Sequence, residues 1–340
     1  MSEPTTLLLQ KAVKRSGGQE IELSFCRDCA FVETVDLSGP RMILKYDDRF
    51  SVLRNHLQVV PGDIIDCTLS ADAYESGMLN FKAGFRVMSM PVEGDVVTLN
   101  MLQEEIACLK DPVKGARLFS KNAYSIEDII KQTQKAAGIS EQLPVDGISM
   151  SLLNDYHLLP GDRPSLLLRQ LAYEHGALIY AFRGKICFKK LSDLYGGTTN
   201  ITLSYRKPDA DFQVVTYRHL NTDKLVSDKT QRKYFGWSIT DGLIEANQSI
   251  DAPMEWCQHD SSQIMDNMTV IAMPILDIVT WGTGRLGPGL SVNFQWYLEA
   301  SWNDSWLDES LPTKAVTGNV THYTAGAQNY YCRMKAMIPA

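Results

Sequence analysis

Residues 320–338, Val-Thr-His-Tyr-Thr-Ala-Gly-Ala-Gln-Asn-Tyr-Tyr-Cys-Arg-Met-Lys-Ala-Met-Ile, read as a strand, a short turn around Gly326 and a long final strand. From Tyr330 onward, Tyr330, Cys332, Met334, Ala336 and Ile338 alternate with Tyr331, Arg333 and Lys335. A period of two is the mark of an antiparallel strand with one face buried. The chain therefore ends in a β-hairpin of a barrel or sandwich.

Working back from that hairpin, β signals extend to about residue 200: Asn200–Tyr205, Asp211–Tyr217, Lys233–Ile239, Met268–Met273 and Leu290–Tyr297 each carry short runs of β-branched and aromatic residues. A second β-rich stretch covers residues 19 to 108, with Glu20–Phe25, Arg41–Tyr46, Ile64–Leu69, Leu79–Met90 and Asp95–Leu102 separated by Pro, Gly and Asp turns. No amphipathic helix is expected there. Between the two, residues 115 to 195 change period. Ser125 with Asp128 forms a capping box ahead of Ile126, Ile129 and Ile130, and Gly138 ends that helix. Pro164 opens a second helix whose stripe is Leu166, Leu167, Leu168, Leu171 and Ala172, stopped by Gly176. Arg183-Gly184 between two apolar runs predicts a hairpin. The expected fold is mainly β with an α+β insertion: two similar antiparallel β-barrel domains, residues 1–112 and 198–340, flanking a small α/β module at 113–197.

Composition narrows the function classes. With 44% hydrophobic residues in 340, the chain buries substantial cores. Its apolar runs, such as Ile271–Leu276, fall well short of the ~20 residues that span a bilayer, and no membrane anchor is expected. The start, with Glu3 before a brief apolar patch, lacks the pattern of a signal peptide, which points to folding in a cytoplasm. A net charge of −7 disfavours tight nucleic-acid binding, which needs a basic footprint.

Several local patterns invite chemical readings. Gly282-Thr-Gly-Arg-Leu-Gly287 matches the dinucleotide fingerprint, but Pro288 and Gly289 follow where a helix must begin, so a turn is expected. Cys26-Arg-Asp-Cys29 has thiol-pair spacing without a second ligand pair, Cys67 and Cys108 being isolated. In an extended strand, residues three apart face opposite ways, which also disfavours chelation. The seven cysteines are expected to be buried free thiols. The six histidines, His56, His157, His175, His219, His259 and His322, are dispersed; His175 is accounted for by a helix C-terminus, and Cys257, His259 and Asp260 are the sole Cys/His/Asp cluster. The charge run Lys224–Lys233 reads as a solvated edge. Catalytic, cofactor and metal residues are expected to be none.

The closing hairpin, together with Ser125–Lys131 and Arg163–Phe188, resembles the contractile-tail baseplate hub family: the bacteriophage tail hub or late-control-D group, related to the N-terminal part of the VgrG spike. The resemblance implies a structural protein, not an enzyme, in which three chains each give two barrels to a pseudo-sixfold ring joining the hexameric tail tube to the trimeric spike and lining a DNA conduit. Expected partners are two further copies, the tail tube protein, a spike carried on a separate polypeptide since the chain stops after its last strand, and surrounding baseplate wedge proteins. Genomic DNA would pass without specific binding, because lumenal carboxylates repel phosphate. The expected location is the virion baseplate, assembled in the host bacterial cytoplasm. Three other readings stay open: a hub of a type VI-like or phage-derived injection machine; a β-rich enzyme using Cys26 and Cys29 or a pocket near His259; and a glycan-binding module using Trp302 and Trp306.

Overall fold

A computed structural model describes residues 8–70, 81–147, 150–199, 201–207, 210, 212–220, 232–247, 252–298, 307–325 and 329–339. Among the described residues 14 strands join in one continuous sheet. Its first part holds β1 (Leu8–Lys14), the two-residue β2 (Gln19–Glu20), β3 (Cys26–Glu33), β4 (Arg41–Asp47), β5 (Ile64–Ser70), β6 (Phe81–Ser89), the two-residue β7 (Val92–Glu93) and β8 (Val96–Gln103). The β region thus begins at Leu8, ahead of the expected residue 19.

Alternation drives this curl. Met42, Leu44 and Tyr46 of β4, Ile65, Cys67 and Leu69 of β5, and Val97, Leu99 and Met101 of β8 point inward around Phe31, Phe81 and Phe85. Phe31 and Phe85 meet edge-on at 6.3 Å, an arrangement the ring quadrupole favours. The strands run in the order β1-β5-β6-β8-β4-β3, every neighbouring pair antiparallel. No rung joins β1 to β3 among the described residues, so this first barrel is open along one line.

The α/β module follows: α1 (Glu104–Lys110), β9 (Arg117–Phe119), α2 (Ile126–Ala136), β10 (Val145–Gly147), β11 (Tyr156–Leu158), α3 (Pro164–Glu174), β12 (Ala177–Phe182), β13 (Lys185–Lys190) and α4 (Leu191–Gly196). Helix α1 is a correction, since residues 19–108 were expected to hold no helix; it forms because Ile106, Ala107 and Leu109 drop into the module's core with Leu102. The capping box is present: Ser125 N–H donates to Asp128 Oδ2 at 2.9 Å and Asp128 N–H to Ser125 Oγ at 3.2 Å. Gly138, at φ +76°, takes the left-handed turn past α2, a conformation that costs a residue with a Cβ. On α3, Leu167, Leu168, Leu171 and Ala172 are buried as expected, but Leu166 is exposed, one position off the stripe. Arg183 and Gly184, both at positive φ, make the tight turn of the β12–β13 hairpin.

The second barrel uses β14 (Thr202–Tyr205), β15 (Phe212–His219), and, beyond an insertion, β19 (Ala272–Trp281), β20 (Ser291–Trp296), β21 (Lys314–Ala325) and β22 (Asn329–Pro339). The insertion holds β16 (Lys233–Ser238), β17 (Gly242–Ala246), β18 (Met254–Trp256) and α5 (Ser262–Thr269). Two expectations change here. Lys233–Ser238 is a strand, but of a separate three-stranded sheet with its own small core of Tyr234, Ala246, Cys257 and Met265. Met268 and Thr269 close α5, and the barrel strand starts at Ala272; the helix wins because Ile264 and Met265 pack one turn against that sheet.

The second barrel closes completely, β21-β20-β14-β15-β19-β22 with β22 back on β21. Cys332, Met334 and Ala336 are buried while Arg333 and Lys335 are exposed, as the alternation requires. One strand breaks the antiparallel rule: β14 runs parallel to both β15 and β20. Apart from β1 and β14, the two barrels share one strand order. Along the chain their five remaining strands stand first, second, fifth, fourth and third: β3-β4-β8-β6-β5 and β15-β19-β22-β21-β20.

Candidate functional site: the seam between the barrels

Strand β21 changes partner halfway. Its first residues pair with β20, at Val316↔Ser291; after a bulge at 317–320 it pairs antiparallel with β3, from Val320↔Glu33 to Ala325↔Asp28. That pairing fuses both barrels into one sheet. Tyr330 packs against both cores.

A chain of buried polar groups crosses the seam. From the α/β hairpin, Arg183 reaches Glu33 of the first barrel at 3.3 Å and donates to the Leu286 carbonyl of the second at 2.8 Å. Glu33 Oε2 lies 3.2 Å from His322 Nε2, and His322 Nδ1 lies 3.2 Å from Cys332 Sγ and 2.7 Å from the Tyr330 hydroxyl. Glu33, His322 and Cys332 are all buried. Burial alone would raise the Glu33 carboxyl, yet Arg183 and His322 hold it below the usual range. Burial would likewise lower the His322 imidazole, but Cys332 and Glu33 outweigh it and raise it to about 9. The Cys332 thiol is pushed up by desolvation and brought below its ordinary value by the imidazolium.

The order thiol, imidazole, carboxylate is that of a nucleophile, base and orienting group. Here the thiol has no exposed surface and is enclosed by Thr283, whose N–H and carbonyl each sit 3.4 Å from Sγ. The arrangement therefore ties three modules together: one carboxylate shared by a guanidinium and an imidazole, each from a different part of the chain. In the sequence His322 is one of six scattered histidines. The signal lies in the closing hairpin, whose register sets His322 opposite Cys332; Glu33 and Arg183 carry none.

The cysteine pair shows the reverse. A bulge between Cys26 and Asp28 shifts the pleat by one residue, so Cys26 and Cys29 line the same cavity instead of facing opposite ways. This cavity, about 430 Å³, lies where the first barrel lacks its β1–β3 rung, between Leu8–Gln10 and Cys26–Cys29, with His322 and Tyr330 at its back. Burial pushes Cys26 up to about 11 and Cys29 up to about 12, so both remain protonated thiols, the unreactive form. Cys67 is raised further by burial. All seven cysteines are free, and no group of three metal-ligating side chains forms among the described residues.

The other singled-out residues fall elsewhere. Gly282–Gly287 is a loop with no helix. Its glycines answer to packing: a Cβ on Gly282 would overlap the Tyr330 ring and one on Gly287 the Phe182 ring. His259 Nε2 sits 3.3 Å from buried Glu174, which also accepts from Tyr156 at 2.6 Å, so His259 pins the insertion to α3 while Cys257 contacts Met268. His175 corrects an expectation: burial lowers its pKa, and the neutral ring bonds the Leu171 carbonyl at 2.8 Å, so helix-dipole stabilisation of a charge is not its role. His56, His157 and His219 are exposed. Cys108 bonds Arg86 at 3.1 Å. Trp302, Trp306 and Lys224–Gln231 lie outside the described residues, and Lys233 opens β16. No described helix is long and apolar enough to cross a membrane.

No protein-family model and no curated protein matches the sequence. Solved structures do match the fold. A tail protein from Neisseria meningitidis MC58 superposes with a TM-score of 0.66 over 96% of this chain and 96% of its own, at 11% identity. The 43 kDa tail protein of prophage MuSo2 from Shewanella oneidensis gives 0.61 over 96% and 98%, at 12% identity. The E. coli c3393 protein, a type VI secretion component described as similar to T4 tail proteins gp27 and gp5, gives 0.52 over 98% of this chain and 76% of that one, at 11% identity. End to end, this chain has the fold shared by phage tail proteins and VgrG-type secretion proteins, as its closing hairpin suggested.

Proposed function

We propose that the protein is a structural baseplate hub of a contractile phage tail. One observation carries this: two barrels with the same strand order are joined first strand to fourth strand, β3 to β21, in antiparallel register. Because corresponding strands of the two barrels run the same way, that joint holds the barrels side by side with the same polarity. A head-to-tail joint between like units is the kind that closes into rings. Three chains then offer six similar barrels, so that one face meets a sixfold tail tube and the other a threefold spike. The work is done by symmetry and sheet pairing, with no catalysis, cofactor or metal.

In this reading the partners are two further copies, the tail tube protein, a spike protein and baseplate wedge proteins, the last contacting the α/β module and the insertion outside the ring. Genomic DNA passes through without specific binding, and the protein resides in the virion tail, assembled in the bacterial cytoplasm. The fold likeness to VgrG-type proteins also supports a second reading, the hub of a type VI-like or phage-derived injection machine, built on the same ring. Negative-stain averages and solution mass of the chain, alone and mixed with tail tube protein, test the ring. Threefold particles with six lobes are expected in the mixture; monomers in both samples would remove the proposal.

A further inference from the structure

The seam within one chain has a counterpart on its outer edges. In each barrel the first strand bulges against the second, between Cys26 and Asp28 on β3 and between Val214 and Thr216 on β15. In each, the fourth bulges against the fifth, between Val87 and Ser89 on β6 and between Thr317 and Val320 on β21. The first-strand bulges coincide, whereas the fourth-strand bulges fall one or two residues apart, so the first strands are aligned by their bulge and the fourth strands by the end of their hairpin. Asp28–Val32 correspond to Thr216–Leu220. Counting back from the hairpin pairs Glu93↔Val96 and Ala325↔Asn329, Ser89–Glu93 correspond to Thr321–Ala325.

Both counterparts present an open edge among the described residues. β15 pairs with β19 out to His219 but with β14 only as far as Val214, so one side of Val215–His219 meets no strand. β6 pairs with β5 only to Arg86, Val87 then exchanges hydrogen bonds with the loop at Gly62 and Asp63, and Met88–Glu93 meet β8 alone. Such edges are templates for another strand. They also carry apolar side chains in solvent: Met88 is 53%, Val92 44% and Val215 37% exposed. Pro91 does not block pairing. Its carbonyl accepts from Thr98 of β8, and in a strand the N–H and carbonyl of one residue point to the same side, so the missing donor is on the β8 side. Arg218, which also bonds Asp277 at 3.2 Å, stands on one edge and Glu93 and Asp95 on the other.

We propose that the edge of β15, Val215–His219, pairs antiparallel with the β6–β7 edge, Met88–Glu93, of a second copy of this chain, repeating between chains the joint that β3 and β21 make within one. This rests on the ring reading. Transposing the seam register, where Asp28 faces Ala325 and Cys29 faces Thr324, sets Thr216 opposite Glu93 and Tyr217 opposite Val92 of the neighbour. The Glu33–His322 tie has no equivalent, since Met90 stands where His322 would be. The joint between chains is thus the plain strand pairing, able to form at assembly.

The test is a cysteine pair, Thr216→Cys with Glu93→Cys, both at exposed positions, oxidised in the full-length chain mixed with tail tube protein. Facing residues of antiparallel strands lie within disulfide reach. A covalent trimer at least tenfold above that from either single variant, which controls for the native thiols, is expected. The off-register pair Thr216→Cys with Lys82→Cys should stay uncrosslinked. Thermal melts of each variant by circular dichroism verify that it folds. A particle of trimer mass without the crosslink would overturn this pairing and leave the ring intact; monomers in every mixture would overturn both.

Discussion

Among the described residues the two barrels share a strand order and have bulges on the same two strands, yet one is closed and the other is not. In the second, β14 fills the place between β15 and β20 and seals the wall; in the first, β1 reaches β5 but not β3, leaving the cavity that Cys26 and Cys29 line. The closed barrel donates its fourth strand to the open one. The difference teaches that the first barrel's free flank is stabilised from outside, by β21 and by the buried Arg183–Glu33–His322 tie. Two like folds are thus unequal parts: a closed barrel, and an open one that pairs with the closed barrel's fourth strand.

Substitutions at the tie should break that pairing most severely. Glu33→Ala leaves a guanidinium and an imidazolium buried without their shared carboxylate, and about 3–5 kcal/mol should be lost in a urea titration; a loss below about 1 kcal/mol would mean the tie does not hold the joint. Core truncations ask whether the barrels melt together. Phe85→Ala in the first and Trp296→Ala in the second should each cost about 3–5 kcal/mol, and each should shift one common transition. Two separate transitions would show that the seam does not couple the barrels.

Gly282→Ala sharpens the comparison at smaller scale. Its Cβ would press on Tyr330, the side chain packed on both cores, and a cost of about 1–3 kcal/mol is expected in thermal melts. The pH profile of stability should follow the tie. His322 is raised in the folded state from 6.5 to about 9, so its contribution is full below about pH 6.5 and disappears as pH rises through about 9. Glu33 is lowered from 4.5, so its contribution is present above about pH 4.5 and is lost as pH falls through its folded value. Cys332, pushed up by burial but brought below 9.0 by the His322 imidazolium, contributes with the opposite sign, its share lost as pH falls through its folded value. The alkaline fall is therefore the difference of the two, and a His322→Gln chain should lack both. Smallest of all, Ser125→Ala removes the α2 cap, should cost about 1 kcal/mol, and should leave the seam's pH profile unchanged.

Much of this was legible in residue order because it is local. The capping box, the Arg183-Gly184 turn and the alternation from Tyr330 to Ala336 are each fixed within a few residues, and the tertiary structure keeps them. The insertion is not legible in the sequence, because β16 carries the same alternation whether its partner is a barrel or a three-stranded sheet. The shared face of Cys26 and Cys29 is not legible either, because a bulge reverses the pleat and leaves no sign in composition.

The sequence by itself determined the elements, their apolar faces and the likeness of the final hairpin to tail hubs, since periodicity and turn chemistry act at short range. Only the tertiary structure decided that β21 leaves its own barrel for β3, that Glu33, Arg183 and His322 meet, and that one barrel stays open. Those outcomes depend on pairing between residues up to 289 positions apart, and long-range pairing is chosen by the packing of whole sheets.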